Sequence, residues 1–237
     1  MRMPLAIIGP GRLGRSAARI LNAQGAEFVL IGRGERAPAA AVTWLTVPDR
    51  AIAAVAAEVP PGGVVLHASG AADHRILRPH PCVGSLHPLM SFPGPEIGMP
   101  QTEIPAAVAG DDRAIAAATD LAQLLGFSPV EVPGDRALYH AAAVTAGNFA
   151  TMLLVQASRM LSAAGISQEE ARALLGPLAI TSLKNAIEHG AAALTGPVAR
   201  GDNEVIDAHL DALTQLDPAL SSFYRALCES TRAMTTK

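Results

Sequence analysis

His87, His140 and Asn148 have the side-chain types and the placement for proton transfer and substrate orientation. His87 stands in Ser85-Leu86-His87-Pro88-Leu89-Met90-Ser91-Phe92, where Val83 to Leu86 predicts a short strand and Pro88 biases the histidine towards an extended backbone. An imidazole at a strand end can donate a proton or a hydrogen bond to a carbonyl or imine that receives a hydride. The structural alternative is a loop histidine bonded to the backbone. His140 and Asn148 share one helical pattern and lie about 80° apart around its axis at 3.6 residues per turn, so both can face one cleft. Tyr139 and Thr145 lie nearby, and on an alanine-rich helix such groups need partners or a cavity. Packing and interhelical hydrogen bonds are the alternative for this set. Further on, Leu194-Thr195-Gly196-Pro197-Val198-Ala199-Arg200-Gly201-Asp202 joins two helical patterns. There Arg200 could bind a carboxylate or phosphate and Thr195 could offer a hydroxyl, or either could fix the loop. Asp202 is expected to cap the helix that follows.

A second group of residues has the spacing of a phosphate cradle. The apolar run Leu5 to Ile8 ends in Gly9-Pro10-Gly11-Arg12-Leu13-Gly14 and flows into a helical pattern. In a dinucleotide-binding unit Gly9 permits the tight turn, Gly11 lets the backbone approach a pyrophosphate and Gly14 lets the helix pack on the sheet. The backbone of Arg12 and Leu13 then opens the helix, whose free N–H groups face the phosphates. A glycine turn made for packing alone has the same letters; here it follows a strand and opens a helix. The next strand pattern ends in Gly32-Arg33-Gly34-Glu35-Arg36. An acidic residue at that end would accept the 2′-hydroxyl of NAD, whereas Arg33, with Arg36 as a second contact, suits the 2′-phosphate of NADP. Glu35 counts against that preference, and solvated loop charges are the other reading of both arginines.

The elements that must position these groups alternate. Strands are expected at Glu27–Gly32, Thr43–Val47, Val64–Ala68, Val83–Leu86, around Ala106–Ala109 and at Ser128–Val132, with helices at Arg50–Glu58 and about Asp112–Gly126. A loop rich in proline and glycine follows Phe92. This order predicts an α/β fold with a doubly wound, mostly parallel Rossmann sheet. The glycine turn, Arg33, Val47-Pro48-Asp49, Ser69 and His87 all fall at strand ends, where open α/β sheets bind ligands; Val47, Pro48 and Ser69 join the candidate cofactor contacts. From Asp135 onwards only helical patterns occur: to Ala164, from Gln168 to Gly190 with a break or kink at Gly176-Pro177, from Asn203 to Leu216 and from Pro218 to Met234. The expected domains are a dinucleotide-binding domain over residues 1–133 and an all-helical substrate and dimerisation domain over 134–237.

Composition narrows the function classes. The 237 residues are 50% hydrophobic and only 16% charged, with a formal net charge of -3 that offers no basic footprint for nucleic acid. No stretch reaches the roughly 18 uninterrupted apolar residues of a membrane span, and the start of the chain lacks a signal peptide's pattern. A compact cytoplasmic protein with a small-molecule substrate is expected. Cys82 and Cys228 form no disulfide framework; Cys228 is expected in a helical core and Cys82 as an unreactive loop thiol. His74, His80, Cys82 and His87 match no zinc spacing, so no metal site is expected.

With these residues assembled, the chain resembles a Rossmann-like reductase family of uncharacterised function in the 6-phosphogluconate dehydrogenase-like superfamily. The resemblance rests on GPGRLG at 9–14, VPD at 47–49, HASGA at 67–71, SLHPLMSF at 85–92 and LTGPVARGD at 194–202. It implies an NADP-binding N-terminal domain and a helical C-terminal domain that often dimerises. Similar proteins include ketopantoate reductase, pyrroline-5-carboxylate reductase and prephenate dehydrogenase, and His87-Pro88 looks like the histidine-proline of the last. Hydroxyacid dehydrogenases of this superfamily carry a catalytic lysine four residues before an asparagine on the first helix after the Rossmann domain. If Asn148 matches that asparagine, Val144 occupies the lysine position, and His87 or His140 must supply the proton. The expected activity is NADP-dependent hydride transfer to or from a small carbonyl or imine, probed against the alternative of an NADP-binding regulatory protein without chemistry.

Overall fold

The computed structural model describes residues 3–92, 103–132 and 134–235. Among these a seven-stranded sheet is built from β1 (Met3–Ile8), β2 (Val29–Ile31), β3 (Ala40–Leu45), β4 (Val64–His67), β5 (Val83–Pro88), β6 (Ile104–Gly110) and β7 (Phe127–Glu131) in the order β2-β1-β3-β4-β5-β6-β7. Every pairing is parallel except β5 with β6. The sheet is therefore the expected doubly wound one, with one antiparallel junction.

Its strands are short apolar runs because both faces are covered. Alternate residues go to opposite sides: Leu5, Ile7, Trp44 and Leu66 pack with α1 (Arg12–Ala23) and α3 (Asp112–Leu124), while Ile8, Leu45 and Val65 pack with Ile52 and Ala56 of α2 (Ile52–Ala57). Trp44 is fully buried, and its indole N–H donates to the Leu86 carbonyl at 3.2 Å, tying β3 to β5 across β4.

The register aligns the strand ends. Ile8 lies opposite both Ile31 and Leu45, Leu45 opposite His67, and His67 opposite Ser85. The segments leaving β1, β2, β3 and β4 thus share one edge of the sheet, and β5 reaches it with His87.

Several boundaries differ from the sequence reading. β2 is only three residues long, and the Asp49–Ala51 segment is a 3-10 turn before α2. β5 does not end at Leu86; His87 and Pro88 are strand residues, because β6 pairs antiparallel with them and extends the backbone. The proline- and glycine-rich loop after Phe92 lies outside the described residues, as does Pro133, where the domain boundary is expected.

The chain divides into two compact units, Met1–Asn148 and Phe149–Lys237. The division falls later than expected, inside a π turn (Thr145–Phe149) between α4 (Arg136–Val144) and α5 (Ala150–Ala163). Polar side chains of α4 are bonded to the sheet, which places that helix in the first unit. In the second unit α6 (Gln168–His189) starts at a capping box in which Ser167 and Glu170 satisfy each other's backbone N–H groups. It runs through Pro177 without the expected break. The contacts with α5 hold it in place although Pro177 contributes no N–H. α7 (Gly196–Arg200), α8 (Asn203–Leu216) and α9 (Pro218–Thr235) complete the unit, with Ile206, Leu210 and Cys228 at their shared core.

The glycine turn is held by close approach. Gly9 has φ +115°, and a Cβ there would lie 2.7 Å from the Thr46 carbonyl oxygen. A Cβ on Gly14 would lie 2.1 Å from the Gly9 carbonyl oxygen and 2.7 Å from the Thr46 hydroxyl, which itself donates to Gly9 at 2.7 Å. Gly14→Ala is expected to lower the unfolding free energy by about 2 kcal/mol or more, as overpacking does. Gly11→Ala, whose Cβ would make only an ordinary 3.9 Å contact, should cost less than about 1 kcal/mol. Urea unfolding of the two variants measures the difference, and equal costs would refute this account of the turn.

Candidate active site

The phosphate cradle is formed as the motif requires. Gly11 stands at the N-cap of α1 without a side-chain cap, and the first turn carries no acidic residue. The amides of Arg12, Leu13 and Gly14 are therefore the open, positive end of a twelve-residue helix. No protein atom crowds the missing Cβ of Gly11, so the backbone is approachable there. These features fit a pyrophosphate.

Beyond the cradle, Ile8, Ile31, Gly34, Arg36, Val55 and Glu58 line a cavity of about 320 Å³ at the end of β2. Arg33 and Arg36 are exposed. Glu35 also lines this cavity, and its carboxylate accepts the Gly32 N–H, so two carboxylates and the Arg36 guanidinium line the place expected for an adenosine ribose, and Arg33 is not among the lining residues.

Ser69 is the knot of the β4 end. Its hydroxyl donates to Asp49 at 2.9 Å and accepts the N–H groups of Ala71 and Ala72, while its own N–H donates to Nδ1 of His67. The hydroxyl is thus committed to Asp49 and to its own loop. Val47 is half-buried against Gly9 and Pro48 is exposed beside Asp49.

α4 is fixed over this knot. Asp135 caps it by accepting from Ala137 and Leu138. At the first residue of the helix, Nη2 of Arg136 donates to the Ser69 carbonyl at 2.9 Å, and its guanidinium carbon lies 5.2 Å from the centre of the Tyr139 ring. The Tyr139 hydroxyl lies 2.8 Å from Nδ1 of His87, and the His140 ring meets the His87 ring edge-on at 6.1 Å. A Cβ on Gly70 would come within 2.6 Å of His140 and 3.0 Å of Nε2 of His87, so the glycine leaves the space that both rings use.

His87, Leu89, Met90, His140, Val144 and Asn148 line an open cleft of about 480 Å³. The structure therefore brings His87, His140 and Asn148 together, with Val144 and Ala143 as apolar wall. Thr195 and Arg200 belong to the second unit. Thr195 is exposed at the start of α7, and Arg200 pairs with Asp202 at 2.8 Å. That pairing also corrects the reading of Asp202: it stands at the N-cap of α8, but its carboxylate goes to Arg200 and caps no helix N–H. Elsewhere, His80 bonds the Ala56 carbonyl and Cys82 is buried in the sheet core, its thiol pushed up by burial.

The electrostatics favour neutral imidazoles. Burial, the Arg136 charge and His140 lower the pKa of His87 to about 4, against a smaller opposing effect of Asp49. His67, fully buried, is lowered to about 4 by burial first and Arg136 second. Tyr139 is pushed up by burial and pulled down by Arg136. Arg136 belongs to no motif, and His67 and Gly70 enter the sequence reading only as letters of HASGA at 67–71, without a role; the positions of Arg136, Tyr139 and His140 at helical spacing are the signal that could have found the first.

A family model described as a domain of unknown function, DUF2520, matches residues 104–231, more than half of the chain. The chain belongs to the DUF2520 family. Within this DUF2520 protein the match begins at β6 and includes α4 with Tyr139, His140, Val144 and Asn148. No curated protein matches the sequence. Among solved structures, a candidate NADP oxidoreductase from Bacteroides fragilis superposes with a TM-score of 0.82 at 20% identity, over 98% of each chain. A reductive aminase from Aspergillus terreus, in complex with NADPH and ethyl levulinate, gives 0.72 at 15% identity over 97% of this chain and 93% of its own. The 1-pyrroline-5-carboxylate reductase of Streptococcus pyogenes gives 0.62 at 13% identity, over 98% of this chain and 99% of its own. The DUF2520 chain therefore has the fold of Rossmann-type reductases.

The two depressed imidazoles make stability depend on pH. An unfolded histidine binds a proton near pH 6.5, while these two in the folded protein wait until about 4, so the unfolded state binds more protons in between. Stability is expected to fall as pH drops from about 6.5 to about 4, each histidine contributing a slope of up to about 1.4 kcal/mol per pH unit. Urea unfolding across that window should show the fall, and His87→Asn should make it shallower; an unchanged slope would contradict the burial of an uncharged His87.

Proposed function

We propose that the protein is a cytoplasmic NADP-dependent oxidoreductase that transfers hydride to or from a small carbonyl or imine substrate bearing a carboxylate. The observation that carries this reading is the meeting, at one edge of the sheet, of an uncapped glycine turn with a cleft lined by His87 and His140. The reductases that share the fold support it. Gly9, Gly11, Arg12, Leu13 and Gly14 would hold the pyrophosphate, Arg33 and Arg36 the 2′-phosphate, and Val47, Pro48 and Ser69 the edge of the nicotinamide half. NADPH, when bound, supplies the hydride.

The chain's own residues would do the rest. His87, with His140 beside it, directs a hydrogen-bond donor at the oxygen or nitrogen that gains negative charge. Asn148 on the cleft wall orients the substrate, and Thr195 and Arg200 are proposed for its carboxylate. That last assignment requires Arg200 to exchange Asp202 for the ligand, a modest cost for an exposed pair.

Val144 favours a second reading, an NADP-binding sensor without turnover, because an apolar side chain stands where related dehydrogenases carry lysine. Titration with NADPH and NADH, followed by a screen of 2-oxo acids and cyclic imines for loss of NADPH absorbance, separates the two. The expected result is NADPH binding weakened about 10- to 100-fold by Arg33→Ala with Arg36→Ala, and turnover lost in His87→Ala. Tight binding without turnover across the panel selects the sensor, and turnover that survives both His87→Ala and His140→Ala overturns the assignment of the histidines.

The helical unit is proposed to pair with a second copy of itself. Among the described residues one helical run, Arg136–Ala163, has the length of a membrane-crossing helix, and an 18-residue stretch of it has a mean hydropathy of 1.3 and no buried residue. α6 exposes Ile180, Leu183 and Ile187, the last 87% accessible, at helical spacings that form a stripe, with Leu174 and Leu178 exposed on the opposite side. Leu183→Glu with Ile187→Glu is expected to convert a dimer to a monomer in light scattering; a monomeric parent protein would refute the pairing.

A further inference from the structure

His87 presents a chemical problem for any reaction in its cleft. An imidazole kept neutral by burial and by a neighbouring guanidinium cannot act as an imidazolium acid near pH 7. It can give up only its single ring proton, and leaving an imidazolate behind is prohibitive unless the other nitrogen is protonated at the same time.

The contacts of Nδ1 supply that second proton. The Tyr139 hydroxyl is 2.8 Å away, and Arg136 lies over the phenol ring with donors only, so it offers no acceptor to the hydroxyl hydrogen. With the hydroxyl donating to Nδ1, the ring proton resides on Nε2. That nitrogen faces the gap left by Gly70, beside the cleft lined by His87 and His140. Nη1 of Arg136 is buried without a hydrogen-bond partner, a positive group held next to the phenol with capacity to spare.

We propose that Tyr139, backed by Arg136, is a proton relay that protonates Nδ1 of His87 as Nε2 gives up its proton. In the step, the Nε2–H bond of His87 breaks as the proton passes to the oxygen or nitrogen of the substrate that has gained an electron pair. The Tyr139 O–H bond breaks as its proton passes to Nδ1, so the imidazole stays neutral throughout and changes tautomer. The negative charge ends on the Tyr139 phenolate beside the Arg136 guanidinium, and the site resets when a solvent proton reaches Nε2 from the cleft and the Nδ1 proton returns to the phenolate. The assignment rests on the reductase reading for its substrate and its hydride source, but the hydrogen-bond polarity does not. Tyr139 acts through His87 and is a positioning and relay residue, while His87 is the group that meets the substrate.

Charged and titratable neighbours of the pair come from every element packed against it: Arg136 and His140 from α4, and Asp49 from the turn after β3; Asp73 acts on Arg136 in turn. Arg136 lowers the tyrosine pKa while burial raises it. Since the chain has only two tyrosines, Tyr139 and Tyr224, their ionisation can be followed separately by ultraviolet difference spectra of the single Phe variants.

Three readouts test the relay. Nitrogen NMR of the imidazoles in the full-length protein should place the His87 proton on Nε2 in the parent chain and spread it over both nitrogens in Tyr139→Phe. Arg136→Gln should raise the Tyr139 pKa in the tyrosine titration. With a carbonyl or imine found in the screen, Tyr139→Phe should lower kcat about a hundredfold at unchanged KM, and the bowed solvent-isotope inventory of two moving protons should become linear. A His87 proton on Nδ1 in the parent, an unaltered tautomer in Tyr139→Phe, or an unaltered kcat overturns the relay. If no substrate is turned over, the reductase reading falls by itself, and the NMR and tyrosine titrations still decide the polarity on which the relay stands.

Discussion

The candidate site depends on one charge that cannot return to water cheaply. Arg136 is half-buried, its pKa lowered by burial, and its guanidinium takes what acceptors the sheet end offers. The Ser69 carbonyl is the one it reaches, and Ser69 is itself immobilised by Asp49, by the N–H groups of Ala71 and Ala72 and by His67. The helix is thereby pinned at its first turn to a loop that has little freedom. The helical period brings Tyr139 and His140 to the same face one turn later and Ala143 and Val144 two turns later, and the π turn that follows carries Gly147 and Asn148 to the same cleft. Bonds across 67 and 52 residues of sequence thus fix the α4 side of the cleft.

Features whose causes lie within a few residues were legible in the sequence. The glycine turn is one, since its positive φ, its close approaches and the helix it opens all occur between Gly9 and Gly14 against a single neighbouring strand end. The alternating strands are another, because each reads as a short apolar run wherever both faces are covered. His87 was found as a residue of interest, but its setting was not. β5 extends past it because β6 returns antiparallel, a pairing with no local signature. The partners that decide its protonation, Tyr139 across 52 residues and Arg136 through that ring, are visible only once α4 is folded onto the sheet. Asp202 shows the same limit at short range: a carboxylate two residues from an arginine has two local uses, and the ion pair displaced the cap.

Val144 bears on the chemistry through what it withholds. A lysine there would stand one turn beyond His140 on the face that lines the cleft, adding a second positive charge to a region where Arg136 already disfavours a protonated His87. Valine instead continues the apolar wall of Leu89, Met90 and Ala143, which sustains the low polarity that keeps the imidazole neutral. Under the proposed relay the cation has not been lost from the helix; it sits two turns nearer the N-terminus, as Arg136, where it faces a phenol and not the substrate. Such a site holds its positive charge one hydrogen bond and one ring away from the reacting atom. It would stabilise the charge left behind by the proton, whereas a lysine at 144 would donate that proton directly.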